Sequence, residues 1–263
     1  MEAVVVMVLT GILVGAVAVF IPSVMQGYND SARRAGITDT ADTAVRRIAR
    51  DLHLALPNSV RITGSNQVLE YLGTRTGGRY RYAKNLVGDD ILDFSVADTT
   101  FEVLGPAIAQ VAGDQMVVFN LGIAGADAYA GDNRTSFSSA AGNIITIAAK
   151  QFPFDSPSHR FQVVDGPVTY FCDTAAGKLW RYWGYTIQAS QASTDTIAEL
   201  DALVTPATAT RGKALLAQNL STCNFSYAAS VTQRTGLVSM NLSFTQSGET
   251  VSLYHAVHVS NVP

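Results

Sequence analysis

Few side chains in this sequence could do chemistry, and one of them stands in an unusual place. Glu2 opens a run, AVVVMVLTGILVGAVAVFIPSVMQGY, in which the next formal charge is Asp30. The run is mostly Val, Ala, Leu, Ile, Met and Phe, broken only by Gly11, Gly15, Pro22 and Gly27. About 20 such residues, at a rise of roughly 1.5 Å each, cross the ~30 Å hydrocarbon core of a bilayer. A carboxylate carried alone into hydrocarbon costs on the order of 3 kcal/mol, and a cation within a few Å removes much of that cost. Two roles follow for Glu2. Either it reaches back to the headgroup layer from the end of its helix, or a partner cation within a few Å satisfies it.

The other constellations are weaker. Cys172 and Cys223 are the only cysteines. In an exported domain they would form one disulfide, closing a loop of about 50 residues worth ~4 kcal/mol in the chain-entropy model; the alternative is two separate buried thiols. Neither has CxxC or Cys/His spacing for zinc. His255 and His258 lie three apart in a strand-like stretch, which sends them to opposite faces and away from a shared metal ion. Asp89, Asp90, Asp93, Asp127 and Asp132 lack the spacing of a calcium loop, and turn capping is their ordinary role. No nucleophile elbow, P-loop, metalloprotease or dinucleotide fingerprint occurs, so neither catalytic residues, a metal site nor a cofactor is expected. In LWRYWGY, alternation puts Trp180 and Tyr182 on one face and Arg181, Trp183 and Tyr185 on the other. One face belongs to the core; the second is a candidate contact surface for a neighbouring subunit or a glycan through Trp180, Trp183 and Tyr185, with burial under a loop as the competing reading.

The elements that must position these residues fall into two regimes. From Ser31 to Leu56 the apolar residues Ile37, Ala41, Ala44, Val45, Ile48, Leu52, Ala55 and Leu56 recur at helical spacing, and the charges, Asp51 included, take the remaining surface. Pro57-Asn58 stops the pattern. Residues 1–28 therefore read as a transmembrane helix and 29–56 as its amphipathic continuation, with a kink or loosening expected at Pro22 and Gly27. Beyond residue 57 the period becomes two. A hairpin is expected over 59–72, a loop over 73–89, and strands at DILDFS, TFEVLG, MVVFNLG and NIITIAA. The stretch 123–142 reads as a loop. FQVVDGPVTYFC and KLWRYWGYTI read as paired strands, 188–213 as a loop with a short helix at DTIAELDALV, and CNFSYAAS, LVSMNLSFTQ and TVSLYHAVHVS as further strands. The expected class is α+β: a long N-terminal helix followed by an antiparallel β-rich domain over 57–263. Of 263 residues only 15% are charged, with a formal net charge of −3, which suits an exported β-rich protein and leaves no electrostatic footprint for nucleic acid.

An apolar helix with a glutamate near its start, continuing amphipathically into a β domain, resembles the type IV pilins and pseudopilins. Their mature N-terminus commonly reads FTLIE before the apolar run, so Glu2 matches the family glutamate. Met1 stands where the family has Ile, Leu or Val, and the expectation is a chain that begins a few residues late. The stretches ALPNSVRI, GDDILDF, FEVLGP, FPFDSPSHRFQVVDGPVTYFC, LWRYWGY and SLYHAVHVSNVP are similar to minor pilins of the mannose-sensitive haemagglutinin type. The resemblance implies a structural, non-catalytic subunit acting in initiation or at the tip of a pilus. Its partners would be prepilin peptidase, the inner membrane before assembly, and other pilin subunits through the N-terminal helix. Glu2 would then meet the N-terminal amine of a neighbour. The alternatives are a minor pseudopilin of a type II secretion system and a membrane-anchored adhesin or ligand-binding domain. Arg33 and Arg34 follow the apolar run with nothing basic before it, a bias that alone would hold the β domain in the cytoplasm; the basic leader implied by the resemblance reverses it and places the domain in the periplasm.

Overall fold

Helix comes first because nothing in residues 2–52 favours another state strongly enough to stop it. The structure, a computed structural model, describes residues 2–86, 88–229 and 234–263, with side chains placed throughout except at 22–24. Expectations attached to Met1 lie outside these residues. Helix α1 (Glu2–Leu52) continues as one helical element through Pro22 and Gly27. It ends four residues before the expected stop: Leu54 and Ala55 turn back onto Asp51 and Leu52, and Ala55 bridges to Gly73 in the first long strand. The apolar stripe is as the spacing predicts. Ile37, Ala41, Ala44, Val45, Ile48 and Leu52 are all buried.

Twelve strands follow among the described residues. β1 (Arg61–Thr63) and β2 (Val68–Tyr80) form the expected hairpin, turned through Gly64, Ser65 and Asn66, all with positive φ. β3 (Asp98–Leu104), β4 (Gln115–Val118), β5 (Arg134–Ala141) and β6 (Ile144–Lys150) precede the long β7 (Arg160–Asp173) and its partner β8 (Lys178–Trp183). A short helix α2 (Ile197–Val204), opened by a capping box between Thr196 and Glu199, leads to β9 (Gly212–Gln218). The chain ends in the meander β10 (Leu220–Ala228), β11 (Thr235–Gln246) and β12 (Glu249–Ser260).

All pairings are antiparallel. The larger sheet runs β1-β2-β3-β6-β5-β4-β7-β8-β9, and β2 also pairs with β7. That extra pairing closes β2-β3-β6-β5-β4-β7 into a small barrel. Its interior is filled by Tyr80, Phe101, Met116, Phe137, Ile145 and Phe161. The meander forms a separate three-stranded sheet. Between it and the β7–β9 end of the large sheet lies the second core, and the buried stripe of α1 packs into that core against Phe225, Val238, Met240, Phe244 and Val257.

The differences from the sequence reading have local causes. The 73–89 stretch is strand as far as Tyr80, because β7 supplies a partner along its whole length. DILDFS is irregular: Asp93 carries the backbone and side chain of Ser95, while Leu92 N–H donates to Arg81 O across the barrel mouth, so side chains take hydrogen bonds that a ladder would need. Part of 123–142 is strand β5, and 188–213 contains β9 as well as α2.

Candidate functional site

The two halves of α1 have opposite surroundings. Val4, Met7, Ile12, Leu13, Val14 and Phe20 are all more than half exposed, and no part of the most apolar window is buried. This helix is long and apolar enough to cross a membrane. Glu2 occupies its first turn and is exposed; a carboxylate there also meets the positive end of the helix dipole. At ~1.5 Å per residue, α1 is about 75 Å long, and the stretch from Tyr28 to Leu52 accounts for roughly 36 Å. The apolar half thus stands well clear of the β domain.

The second half is mounted on the domain by more than its stripe. Near the middle of α1, Arg34 donates to Glu249 at the β11–β12 turn through Nε (3.2 Å) and Nη2 (2.7 Å). At the C-terminal end, Asp51 is only 7% exposed. Its carboxylate accepts from Arg181 Nε of β8 at 2.8 Å and from Tyr170 Oη of β7 at 2.8 Å, with Arg47 at 3.0 Å one turn back. Burial pushes the Tyr170 phenol well up, and the adjacent Asp51 charge adds to the shift. Asp51 was expected on the surface. It belongs instead to the buried stripe, three residues after Ile48 and seven after Ala44, the one signal that could have placed it.

Cys172 of β7 and Cys223 of β10 are joined by a disulfide, both buried in the core beneath α1. The bond ties the two sheets together directly under the helix. On the other face of the large sheet, Glu70 of β2 is fully buried. It is held by Arg61 Nη2 at 2.7 Å and Thr194 Oγ1 at 2.6 Å. Burial raises the Glu70 carboxyl above its ordinary value, opposed first by the charge of Arg61.

The aromatic candidates separate. Alternation fails after Trp183 because the strand ends there and Gly184 takes a positive φ of 69°. Tyr185 therefore swings to the Trp180–Tyr182 side, packs with Leu200 and Val204 of α2, and is only 2% exposed. Its hydroxyl hydrogen-bonds that of Thr169. Tyr185 is a core residue and not a contact surface. Trp180 and Trp183 are half-buried, and each already has a cation near its ring, Lys213 at 5.2 Å and Arg181 at 5.0 Å.

The acidic residues act locally. Asp89 accepts from the N–H groups of Asn85 and Leu86, Asp132 from Gly125 and Asp127, and Asp127 from Tyr129. Those bonds hold the Asp89 carboxyl below its usual range. His255 and His258 are exposed on β12, opposite Met240 and Leu237 of β11. Among the described residues no group of three His, Cys, Asp or Glu side chains is placed to hold a metal ion.

The arrangement can place one half of a helix in an apolar environment while the other half holds it to the β domain. Comparison with protein-family models, curated proteins and solved structures finds no match to this chain.

Proposed function

We propose that this chain is a minor pilin: a structural, non-catalytic subunit that takes part in initiation or at the tip of a type IV pilus of the mannose-sensitive haemagglutinin type. In this reading the apolar half of α1 anchors the subunit in the inner membrane, with the β domain in the periplasm. After processing by prepilin peptidase it passes into a filament core made of such helices. The observation that carries the reading is the division of one continuous helix into an exposed apolar half headed by Glu2 and a half clamped to the domain by its stripe, by Asp51 and by Arg34. A pure anchor has only the headgroup layer and the helix dipole to satisfy a carboxylate at that position, and has no further use for it. A subunit that exchanges lipid for neighbouring helices does, because the cost of the isolated charge is removed when a neighbour's N-terminal amine sits beside it.

The test is Glu2→Ala and Glu2→Gln in the full-length gene, with sheared pili assayed for the subunit. Both variants are expected to insert in the membrane normally and to fall at least tenfold in incorporation. Incorporation at the wild-type level would refute the assembly role of Glu2 and, with it, the main support for the reading.

A further inference from the structure

On the outer wall of the barrel, two arginines face each other with nothing to neutralise them. Arg79 of β2 and Arg160 of β7 are direct cross-strand partners, so their Cβ atoms lie about 5 Å apart on the same face. Both are exposed, and among the described residues neither forms an ion pair. Three arginines of the domain have acids beside them: Arg75 on Asp114, Arg81 on Glu102, Arg61 on Glu70. Like charges set directly opposite weaken a strand pair, and here the cost is left standing.

The same face holds two further uncompensated groups. Partner residues of an antiparallel pair share a face, so Gly77 and Gln162 lie beside the arginines. The register shift at Arg75 brings Thr74 to that face together with Val164. Thr74 Oγ1 and Gln162 Oε1 are both buried atoms without a hydrogen-bond partner. Between them and the arginines runs an open trough of about 320 Å³. Gly77 leaves its floor bare; a Cβ there would lie 2.7 Å from Phe161 O, so no larger residue fits.

We propose that this trough binds an acidic sugar, with a uronate carboxylate across Arg79 and Arg160 and ring hydroxyls on Gln162 and Thr74. Guanidinium forks match a planar carboxylate. The Gln162 side chain lines the trough, and turning its amide outward pairs the unsatisfied Oε1 with a sugar hydroxyl, a donor that a bare anion lacks. An extended peptide gains no ladder from β7, which is paired on both sides along the trough; β2 meets β3 only at Arg79 and Tyr80, and the polyglutamate titration tests that remaining edge. Lipid headgroups are out of reach. Thr74 N–H donates to Leu54 O just beyond the C-terminal end of α1, at the far end of the helix from its apolar half.

The experiment uses the full chain in detergent micelles and titrates trigalacturonate, maltotriose, sulfate and a short polyglutamate peptide by calorimetry. Trigalacturonate is expected to bind at least tenfold more tightly than any of the others. Arg79→Ala and Arg160→Ala are each expected to weaken it at least tenfold without lowering the melting temperature. Arg79→Gln and Arg160→Gln, which keep the stems over the sheet, should behave the same way. Gln162→Leu should weaken trigalacturonate and leave sulfate unchanged. Equal binding of maltotriose, of sulfate or of polyglutamate would overturn the assignment to an acidic sugar. So would trigalacturonate affinity that survives the arginine substitutions.

Discussion

Asp51→Asn isolates the joint between the helix and the β domain, because it keeps the shape of the side chain while removing its charge and one of its two acceptor oxygens. In the native structure the carboxylate accepts from Arg181 at 2.8 Å, Tyr170 at 2.8 Å and Arg47 at 3.0 Å. The Tyr170 hydroxyl can still donate to the Asn carbonyl oxygen, so that bond survives. Arg47 is 41% exposed and rehydrates, losing a few tenths of a kcal/mol. Arg181 is 16% exposed and cannot. Removing one partner of a buried pair costs about 3–5 kcal/mol, and the residual exposure of both groups here brings the expected loss to roughly 2–3 kcal/mol. Denaturant unfolding followed by tryptophan fluorescence reads this directly, since the Trp183 ring lies 5.0 Å from the Arg181 guanidinium. Trypsin cleavage after Arg47 and Arg50 provides a second readout, as the helix end undocks. Asp42→Asn is the control: its pair with Arg46 is 46% and 77% exposed, and its loss should stay below about 0.5 kcal/mol. Adding Arg181→Met to Asp51→Asn should recover part of the loss, because the uncompensated charge is gone. If Asp51→Asn and Asp42→Asn destabilise equally, the joint is not where the helix is held.

Two more outcomes follow from the same core. Replacing Cys172 and Cys223 together by Ala opens a loop spanning 51 residues and should cost about 4 kcal/mol in unfolding free energy; a loss under ~1 kcal/mol would contradict the role of the bond as the tie between the sheets. For Glu70, burial favours the protonated form and raises its folded-state pKa above the ordinary 4.5. The folded protein then binds more protons than the unfolded chain, so this group's contribution is fullest below about pH 4.5 and is lost as pH rises through the folded-state value. Glu70→Gln should flatten the decline in stability between pH 4.5 and 7, measured as the difference between the two pH profiles; parallel profiles would rule out the raised carboxyl.

The elements read correctly from the sequence are those whose signal is written within one segment. Ile37, Ala41, Ala44, Val45, Ile48 and Leu52 mark the buried side of α1 by spacing alone, and the short helix expected at DTIAELDALV is α2. The misread segments depend on partners elsewhere in the chain. RTGGRY looks like a loop because Gly and Arg have little strand preference of their own, and it is strand because β7 lies alongside. DILDFS looks like a strand and is not, because Asp93 satisfies local backbone groups first. Tyr185 appeared to share a face with Trp183 until Gly184 ended the alternation.

By itself, then, the sequence determined a charge-free apolar run headed by Glu2, an amphipathic continuation, and an antiparallel β domain holding two cysteines. Periodicity and hydrophobicity are properties of consecutive residues and need no fold to be read. Tertiary structure alone decided that β2 meets β7 to close a barrel, that Asp51 and Arg181 meet across 130 positions, that Cys172 reaches Cys223, and that Arg79 stands opposite Arg160. Those juxtapositions arise from strand register and sheet packing, which are set by burial of all the apolar faces at once.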